Sequence, residues 1–300
     1  MADQLTDDEL IHELKRRFEL NKKSVKELKE LNNELKVVNK KLEESEALKT
    51  HFISNITNEI INPFTSIIGL SKAILSVDKE NWKKVISMVA LIHSEAFNLD
   101  FQLRNIFVAA KIEAGDIYPE ILRVDVKNLL ESVVESFKFE MRKKKLNIQF
   151  DISSDIEGDD AHIFKTDPEK LKLIVANLLS NSINFSFEGG LVEVIAGRKQ
   201  DALSVTVRDH GIGISKENQK IIFDRFKRVD SGINSLNRGH GLGLSINKAI
   251  IDMLDGKISI ESELGKGACF VVHVPESKEP IEGFASDANE MFFDSDSEVF

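Results

Sequence analysis

Between residues 8 and 45 the chain repeats apolar positions in alternating steps of three and four. With Ile11 as heptad position a, the a/d series is Ile11, Leu14, Phe18, Asn21, Val25, Leu28, Asn32, Leu35, Asn39 and Leu42, flanked by Glu and Lys. A seam recurring about every 3.5 residues on a polar helix predicts a parallel coiled coil, and Asn32 and Asn39 in that seam would fix register and favour two strands. The seam loosens over residues 43–50 and resumes at Ile53, Ile56 and Ile60. Pro63 then falls inside the helical pattern. It removes one backbone hydrogen bond and crowds the carbonyl of Glu59, so a kink is expected. After a polar connection over 76–80, Asn81 is placed to cap a second helix. Its apolar stripe is Val85, Val89, Ile92, Ala96, Leu99, Leu103, Ile106 and Ala110, with Gly115 as the stop. Two amphipathic helices joined by a short loop form a hairpin, and two hairpins form a dimeric four-helix bundle.

Beyond Tyr118-Pro119 the periodicity changes. Residues 126–144 read as a helix and 146–152 as an alternating strand. Thr166-Asp167-Pro168 starts a helix that runs to about residue 184, with an acceptor at the cap and Pro in the first turn. Strands follow at 191–196, 203–208, 257–262 and 269–274. Helices alternating with an antiparallel sheet predict an α+β two-layer sandwich. The expected organisation is a coiled-coil dimerisation helix (1–45), a helical hairpin (46–118), a sandwich domain (119–276) and a tail (277–300). From Glu276 onward Glu and Asp number eight against one Lys, which predicts a flexible acidic tail.

Composition narrows the function. The 300 residues are 42% hydrophobic and 30% charged, with a net charge of −10. That balance argues against a general nucleic-acid binder, which needs Lys and Arg for phosphate contacts. One cysteine, Cys269, excludes an intrachain disulfide and a thiolate metal cluster, and its apolar neighbours predict a buried small hydrophobe. No apolar run approaches the ~20 residues that span a bilayer, so a cytoplasmic protein with no membrane span of its own is expected. The seven histidines are scattered without metal-ligand spacing. His93, in the second helical stripe, is expected at a core or interface.

Four motifs in the sandwich half suit a nucleotide. Asn177-Leu178-Leu179-Ser180-Asn181 places two amides on one helix face, and amide oxygens are hard ligands suited to Mg²⁺ and nearby phosphates. Asp209-His210-Gly211-Ile212-Gly213, at a strand end, offers an acceptor for an adenine amino group, with Gly211 and Gly213 permitting close backbone approach. Ile222-Phe223-Asp224-Arg225-Phe226-Lys227-Arg228 sets apolar anchors beside cations. Gly239-His240-Gly241-Leu242-Gly243-Leu244-Ser245 is a glycine-rich turn opening a helix, whose N–H groups suit a triphosphate. A Walker-type loop is absent.

In this order the four motifs resemble the N, G1, F and G2 boxes of the histidine-kinase ATP-binding domain, a fold shared with type II topoisomerases and mismatch-repair ATPases. The resemblance covers roughly residues 46–275 and implies a Bergerat-type ATP–Mg²⁺ site. Asn181 would meet the metal, with Asn177 beside it. Asp209 would meet adenine and Arg228 the γ-phosphate, and residues 231–238 would form a lid. Phe223, Gly239, Gly241, Leu242, Gly243 and Leu244 would complete the site. Asn184 stands where the family commonly has a phosphate-reaching Lys, and His240 where it commonly has Thr.

Upstream, Phe52-Ile53-Ser54-Asn55-Ile56-Thr57-Asn58-Glu59-Ile60-Ile61-Asn62-Pro63-Phe64 resembles the H-box of sensor histidine kinases. Asn58 occupies the place of the phosphate-accepting histidine. A carboxamide nitrogen is not nucleophilic, because its lone pair is delocalised into the carbonyl. Glu59 holds the family's acidic base position. Asn62, four residues on, fits the slot of a water-orienting phosphatase residue. His51, one heptad earlier, lacks the Glu neighbour and the Pro. The resemblance implies a homodimer that engages a response regulator or another histidine kinase. Three readings stay open: a degenerate kinase that regulates partners, a family-type kinase with a substituted acceptor histidine, and an ATPase outside two-component signalling.

Overall fold

The computed structural model describes residues 7–78, 81–153, 162–199, 201–224 and 241–278. The chain divides into two units, Met1–Ser54 and Asn55–Phe300. Helix α1 spans Asp7–Leu75 and contains Pro63 within its run. In the first unit the seam side chains Ile11, Leu14, Phe18, Val25, Leu28, Leu35 and Leu42 are all exposed on a single chain. Among the described residues no helix is long and apolar enough to cross a membrane.

In the second unit, helix α2 spans Trp82–Ala114. The Asn81 side chain makes no capping bond, contrary to expectation. Its carbonyl instead accepts from the N–H groups of Lys84 and Val85. Gly115 closes the helix in the left-handed region (φ 68°), with Gly115 and Asp116 donating back to Ile112 and Lys111. On the single chain α2 buries a row beyond its apolar stripe. Leu99 of the stripe is buried, but Val89 is exposed, and Ser94, Phe97, Phe101 and Asn105 form a second buried row. Phe97 and Phe101 stand edge-on to Phe137, with centroids 5.2 and 5.8 Å away, and the Ser94 hydroxyl donates to Glu140. The sandwich covers this row, and a pattern confined to one helix carries no record of it. His93 is exposed on the single chain beside the Phe139 ring, so of the expected core or interface position the core is excluded.

The helix expected over 126–144 is two helices, α3 (Val126–Ser136) and α4 (Lys138–Lys143), following a short strand β1 (Leu122–Asp125). Phe137 breaks them and turns inward onto α2. Strands β2 (Asn147–Ile152) and β3 (Ile163–Thr166) come next, then α5 (Pro168–Phe185). Strands β4 (Leu191–Lys199) and β5 (Ala202–Asp209), helix α6 (Gly243–Met253), and strands β6 (Lys257–Glu263) and β7 (Gly267–Pro275) complete the order. The main sheet runs β2-β4-β5-β7-β6. It is mixed rather than antiparallel, because β2 and β4 are parallel partners. The α5 crossover between them makes that pairing possible. β1 and β3, unforeseen four-residue strands, form a separate antiparallel pair.

One sheet face carries Val192, Val194, Ala196, Leu203, Val205, Val207, Phe270, Val272 and Val274, all buried. Helices α3, α5 and α6 pack together and onto the sheet. On α5, Leu171, Ile174, Val175, Leu178 and Leu179 are fully sealed. Each such side chain contributes roughly 1.5–3 kcal/mol on burial. Cys269 is buried, as its neighbours predict.

Candidate functional site

The site is assembled from α5, the end of β5, the β6–β7 turn and the start of α6. Asp167 caps α5 by accepting the Lys170 N–H at 3.0 Å. The apolar face of α5 is spent on the core, which leaves its asparagines on the margin. Asn177 is 3% exposed, and its amide nitrogen donates to Asn247 Oδ1 at 2.9 Å and more weakly to the Gly243 carbonyl at 3.4 Å. Asn181 and Asn184 are half-buried. The amide pair expected on one face is therefore divided, with Asn177 held under α6 and Asn181 more open. At the other end of α5, Lys144 Nζ donates to the carbonyls of Ile183 and Asn184 at 2.7 and 2.6 Å. A cation on those terminal carbonyls complements the helix dipole. Burial lowers the Lys144 pKa, and the Asp209 charge opposes that shift.

Asp209 ends β5 at 5% exposure. Its Oδ1 accepts from the N–H groups of Gly211 at 3.0 Å and Ala268 at 3.2 Å. Oδ2 has only a long contact from the Ser182 hydroxyl at 3.5 Å, so it remains the acceptor on offer. Burial raises the Asp209 pKa, opposed by the Gly211 and Ala268 hydrogen bonds, the His210 charge and Ser182. The loop that follows is pinned on both sides. A Cβ on Gly211 would lie 2.0 Å from the Phe185 carbonyl, and one on Gly213 (φ 66°) 2.0 Å from the Glu263 carbonyl. Ile214 N–H donates to Ser262 Oγ at 2.8 Å, and the Gln219 amide bridges the Ile214 and Ser262 carbonyls. Ile222 is buried and Phe223 half-buried beyond this loop.

Of the glycine-rich turn, Gly241 (φ 68°) and Gly243 are described, with Leu242 buried and Leu244 half-buried between and after them. The Ser245 hydroxyl donates to the Leu242 carbonyl at 2.9 Å. Arg228, Gly239 and residues 231–238 lie outside the described residues, as do the side chains of His51, Asn58 and Glu59. So does the tail from residue 279. Asn62 is exposed on α1. No sequence signal marks Ser182, Asn247 or Ala268, because each acts through a partner brought close only by folding. Lys144 was hidden by its place in an ordinary basic run.

The site fits a nucleotide on two observations: a sealed carboxylate with one free oxygen, and glycines whose missing side chains leave backbone exposed at the loops. Residues 166–278 match the family described as histidine kinase-, DNA gyrase B-, and HSP90-like ATPase. Over 244 residues the chain is 28% identical to the circadian input-output histidine kinase CikA of Synechococcus elongatus, covering 79% of this chain and 31% of that one. It is 25% identical to the signal transduction histidine-protein kinase BarA of Escherichia coli, covering 89% of this chain and 29% of that one. The chain is a homologue of sensor histidine kinases and carries a GHKL-type ATPase domain over residues 166–278. Full-length ShkA in complex with AMPPNP has the same fold over 81% of this chain and 47% of its own, at a TM-score of 0.52 and 22% identity. This histidine kinase homologue spans about a third of the length of its two curated relatives. The motifs that resemble the N, G1 and G2 boxes fall on α5, after β5 and at the opening of α6.

Proposed function

We propose that this chain is a histidine-kinase-type signalling protein that binds ATP with Mg²⁺, dimerises, and regulates partner kinases or response regulators without phosphorylating itself. The observation that carries the nucleotide reading is Asp209, whose Oδ2 has only a long Ser182 contact among the described residues while Oδ1 is filled by two backbone donors. A buried acceptor of that kind suits the exocyclic amino group of adenine. Asn177 and Asn181 would supply oxygens beside the phosphates. Bound Mg²⁺ neutralises charge on a triphosphate.

Asn58 supports the second half of the reading. Phosphoryl transfer needs a nucleophile as well as placement and charge neutralisation. A carboxamide at the acceptor position supplies none, and Glu59 beside it has no imidazole to activate. Asn62 favours one accessory activity, because it is exposed on the same helix and carries an amide able to orient a water toward a phosphorylated partner.

The test combines calorimetric titration with Mg-ATP and incubation with radiolabelled ATP. Binding without acid-labile, alkali-stable label is expected, and Asn58→His is expected to gain that label. Label on the unsubstituted chain would overturn the reading. Co-purification with a kinase that has an intact H-box tests the regulatory role.

A further inference from the structure

Asn247 belongs to none of the four nucleotide motifs as read from the sequence, yet it is wholly buried at the point where α6 meets α5. Its amide nitrogen donates to the Ile174 carbonyl at 3.0 Å. That bond fixes which way the side chain points, since a backbone carbonyl only accepts. The Asn247 oxygen must then face the opposite way, where it accepts the Asn177 amide nitrogen at 2.9 Å. Asn177 is thereby oriented as well. Its nitrogen turns toward Asn247 and the Gly243 carbonyl, and its oxygen turns toward the glycine turn.

Two further observations say what that oxygen is for. No protein group donates to Asn177 Oδ1 among the described residues, and Oδ1 is not among their sealed, unpaired side-chain atoms. A Cβ at position 243 would stand 3.3 Å from Oδ1, so the absence of a side chain at Gly243 keeps it uncovered. We propose that Asn247 is a positioning residue of the nucleotide site, which locks the Asn177 amide so that an oxygen rather than a nitrogen is presented to a Mg²⁺-bound triphosphate. The proposal rests on the ATP–Mg²⁺ reading above. An amide presented oxygen-first is a hard ligand for the cation, whereas the flipped amide would point N–H groups at it. The orientation is relayed from one backbone carbonyl, Ile174, through Asn247 to Asn177.

The test separates the metal-linked part of binding from the rest. Calorimetry on the full chain gives ATP affinity with and without Mg²⁺, and adenosine affinity in chelator. In Asn247→Leu, which loses both hydrogen bonds at similar volume, the Mg²⁺-linked gain in ATP affinity is expected to fall by about tenfold or more, the usual loss when a ligand's supporting partner is removed. Adenosine affinity is expected to stay within about twofold, since Asp209 is untouched. Asn247→Asp keeps an acceptor for Asn177 but sets a second carboxyl oxygen, in a sealed site, against the Ile174 carbonyl in place of the donor. It is expected to retain most of the Mg²⁺-linked gain with a lower melting temperature. An unchanged gain in Asn247→Leu, or a parallel loss of adenosine and Mg-ATP affinity, would overturn the proposal while leaving the nucleotide reading intact. A wild-type chain that binds neither ligand would overturn both.

Should Asn247→Leu not fold, amide proton exchange at the Asn177 side chain of the wild-type chain decides. Protected side-chain protons, remaining so with Mg-ATP, are expected, and freely exchanging ones would overturn the proposal.

Discussion

The Asp209 carboxylate and the Ala268 backbone, 59 positions apart in sequence, meet at 3.2 Å, with the Ala268 N–H donating to Oδ1. This bond ties the end of β5 to the start of β7 and commits one carboxylate oxygen to structure. The other oxygen has only the long Ser182 contact among the described residues. On the proposed nucleotide reading, structure and binding draw on different atoms of the same side chain, and a substitution can separate them.

Asp209→Asn is expected to raise stability without ligand at neutral pH and to weaken nucleotide binding strongly. Burial holds the Asp209 pKa above its ordinary value. The folded state therefore binds this proton more tightly than the unfolded one. The resulting stabilisation is complete below the ordinary carboxylate range and is lost as pH rises through the folded value. Asn cannot ionise, so it removes the desolvation penalty of the charged form while keeping an oxygen for Gly211 and Ala268. The amide nitrogen then replaces Oδ2 and meets the adenine amino group donor to donor. A loss of about 3 kcal/mol, roughly 100-fold in affinity, is expected. Thermal melting at neutral and acid pH, with nucleotide titration, checks both parts. Retained affinity with a lower neutral-pH melting temperature would contradict them.

Gly213 and Gly265 have similar backbone angles, φ 66° and 78°, in different surroundings. A Cβ at 213 would collide with the Glu263 carbonyl at 2.0 Å, whereas nothing lies within 4 Å of one at 265. Gly265→Ala should therefore cost only the left-handed conformation, about 1–2 kcal/mol, and leave nucleotide affinity unchanged. Gly213→Ala must also displace the loop after Asp209, so a larger drop in melting temperature and weakened nucleotide binding are expected. Equal effects of the two substitutions on affinity would show that loop placement is not what Gly213 protects.

The element pattern of the ATPase domain was largely legible from sequence because its signals are local. Asp167-Pro168 starts α5, and the β4 and β5 strands alternate over most of their length; before the domain, Gly115 likewise stops α2. The parallel placement of β2 was not legible, since strand direction follows from the route taken between strands. The break at Phe137 was hidden because α3 and α4 share a continuous helical composition, and only the contact with Phe97 and Phe101 gives the break its purpose. The motifs named Asp209 and Asn177, but nothing in them distinguished the atoms held by the fold from the atoms left open to a ligand. That distinction comes from Ala268 and Asn247, which are distant in sequence.

Phe137→Ala is expected to loosen the sandwich from α2. Phe137 is 3% exposed and stands edge-on to two aromatic rings of α2. Truncating a buried Phe typically costs about 3–5 kcal/mol. Here part of that loss falls on the α2 contact, so hydrogen exchange should rise along α4 and the buried row of α2. The β4–β5 amides, whose ladder is remote from this contact, should stay protected. Uniform loss of protection across the sheet would mean that Phe137 supports the whole domain instead.

The last expectation concerns the first unit. Ile11, Leu14, Phe18, Val25, Leu28, Leu35 and Leu42 lie in one heptad series and are each at least half exposed on a single chain. Described flanking pairs such as Lys23–Glu27 and Lys26–Glu30 are exposed, at 3.9 Å, and such pairs contribute only about 0.3–0.5 kcal/mol each. They cannot offset so much apolar exposure, whereas a second helix on the seam would bury it. A dimer in sedimentation is expected for the full chain. Leu28→Asp combined with Leu35→Asp should reduce helicity in the first unit and weaken the dimer, because each places a charge in the seam. Asn32→Leu should act oppositely on stability, raising the melting temperature while admitting higher oligomers, since a buried Asn trades stability for two-stranded register. A monomeric wild-type chain at micromolar concentration, or an unchanged oligomer distribution in Asn32→Leu, would remove the coiled-coil assignment of this seam.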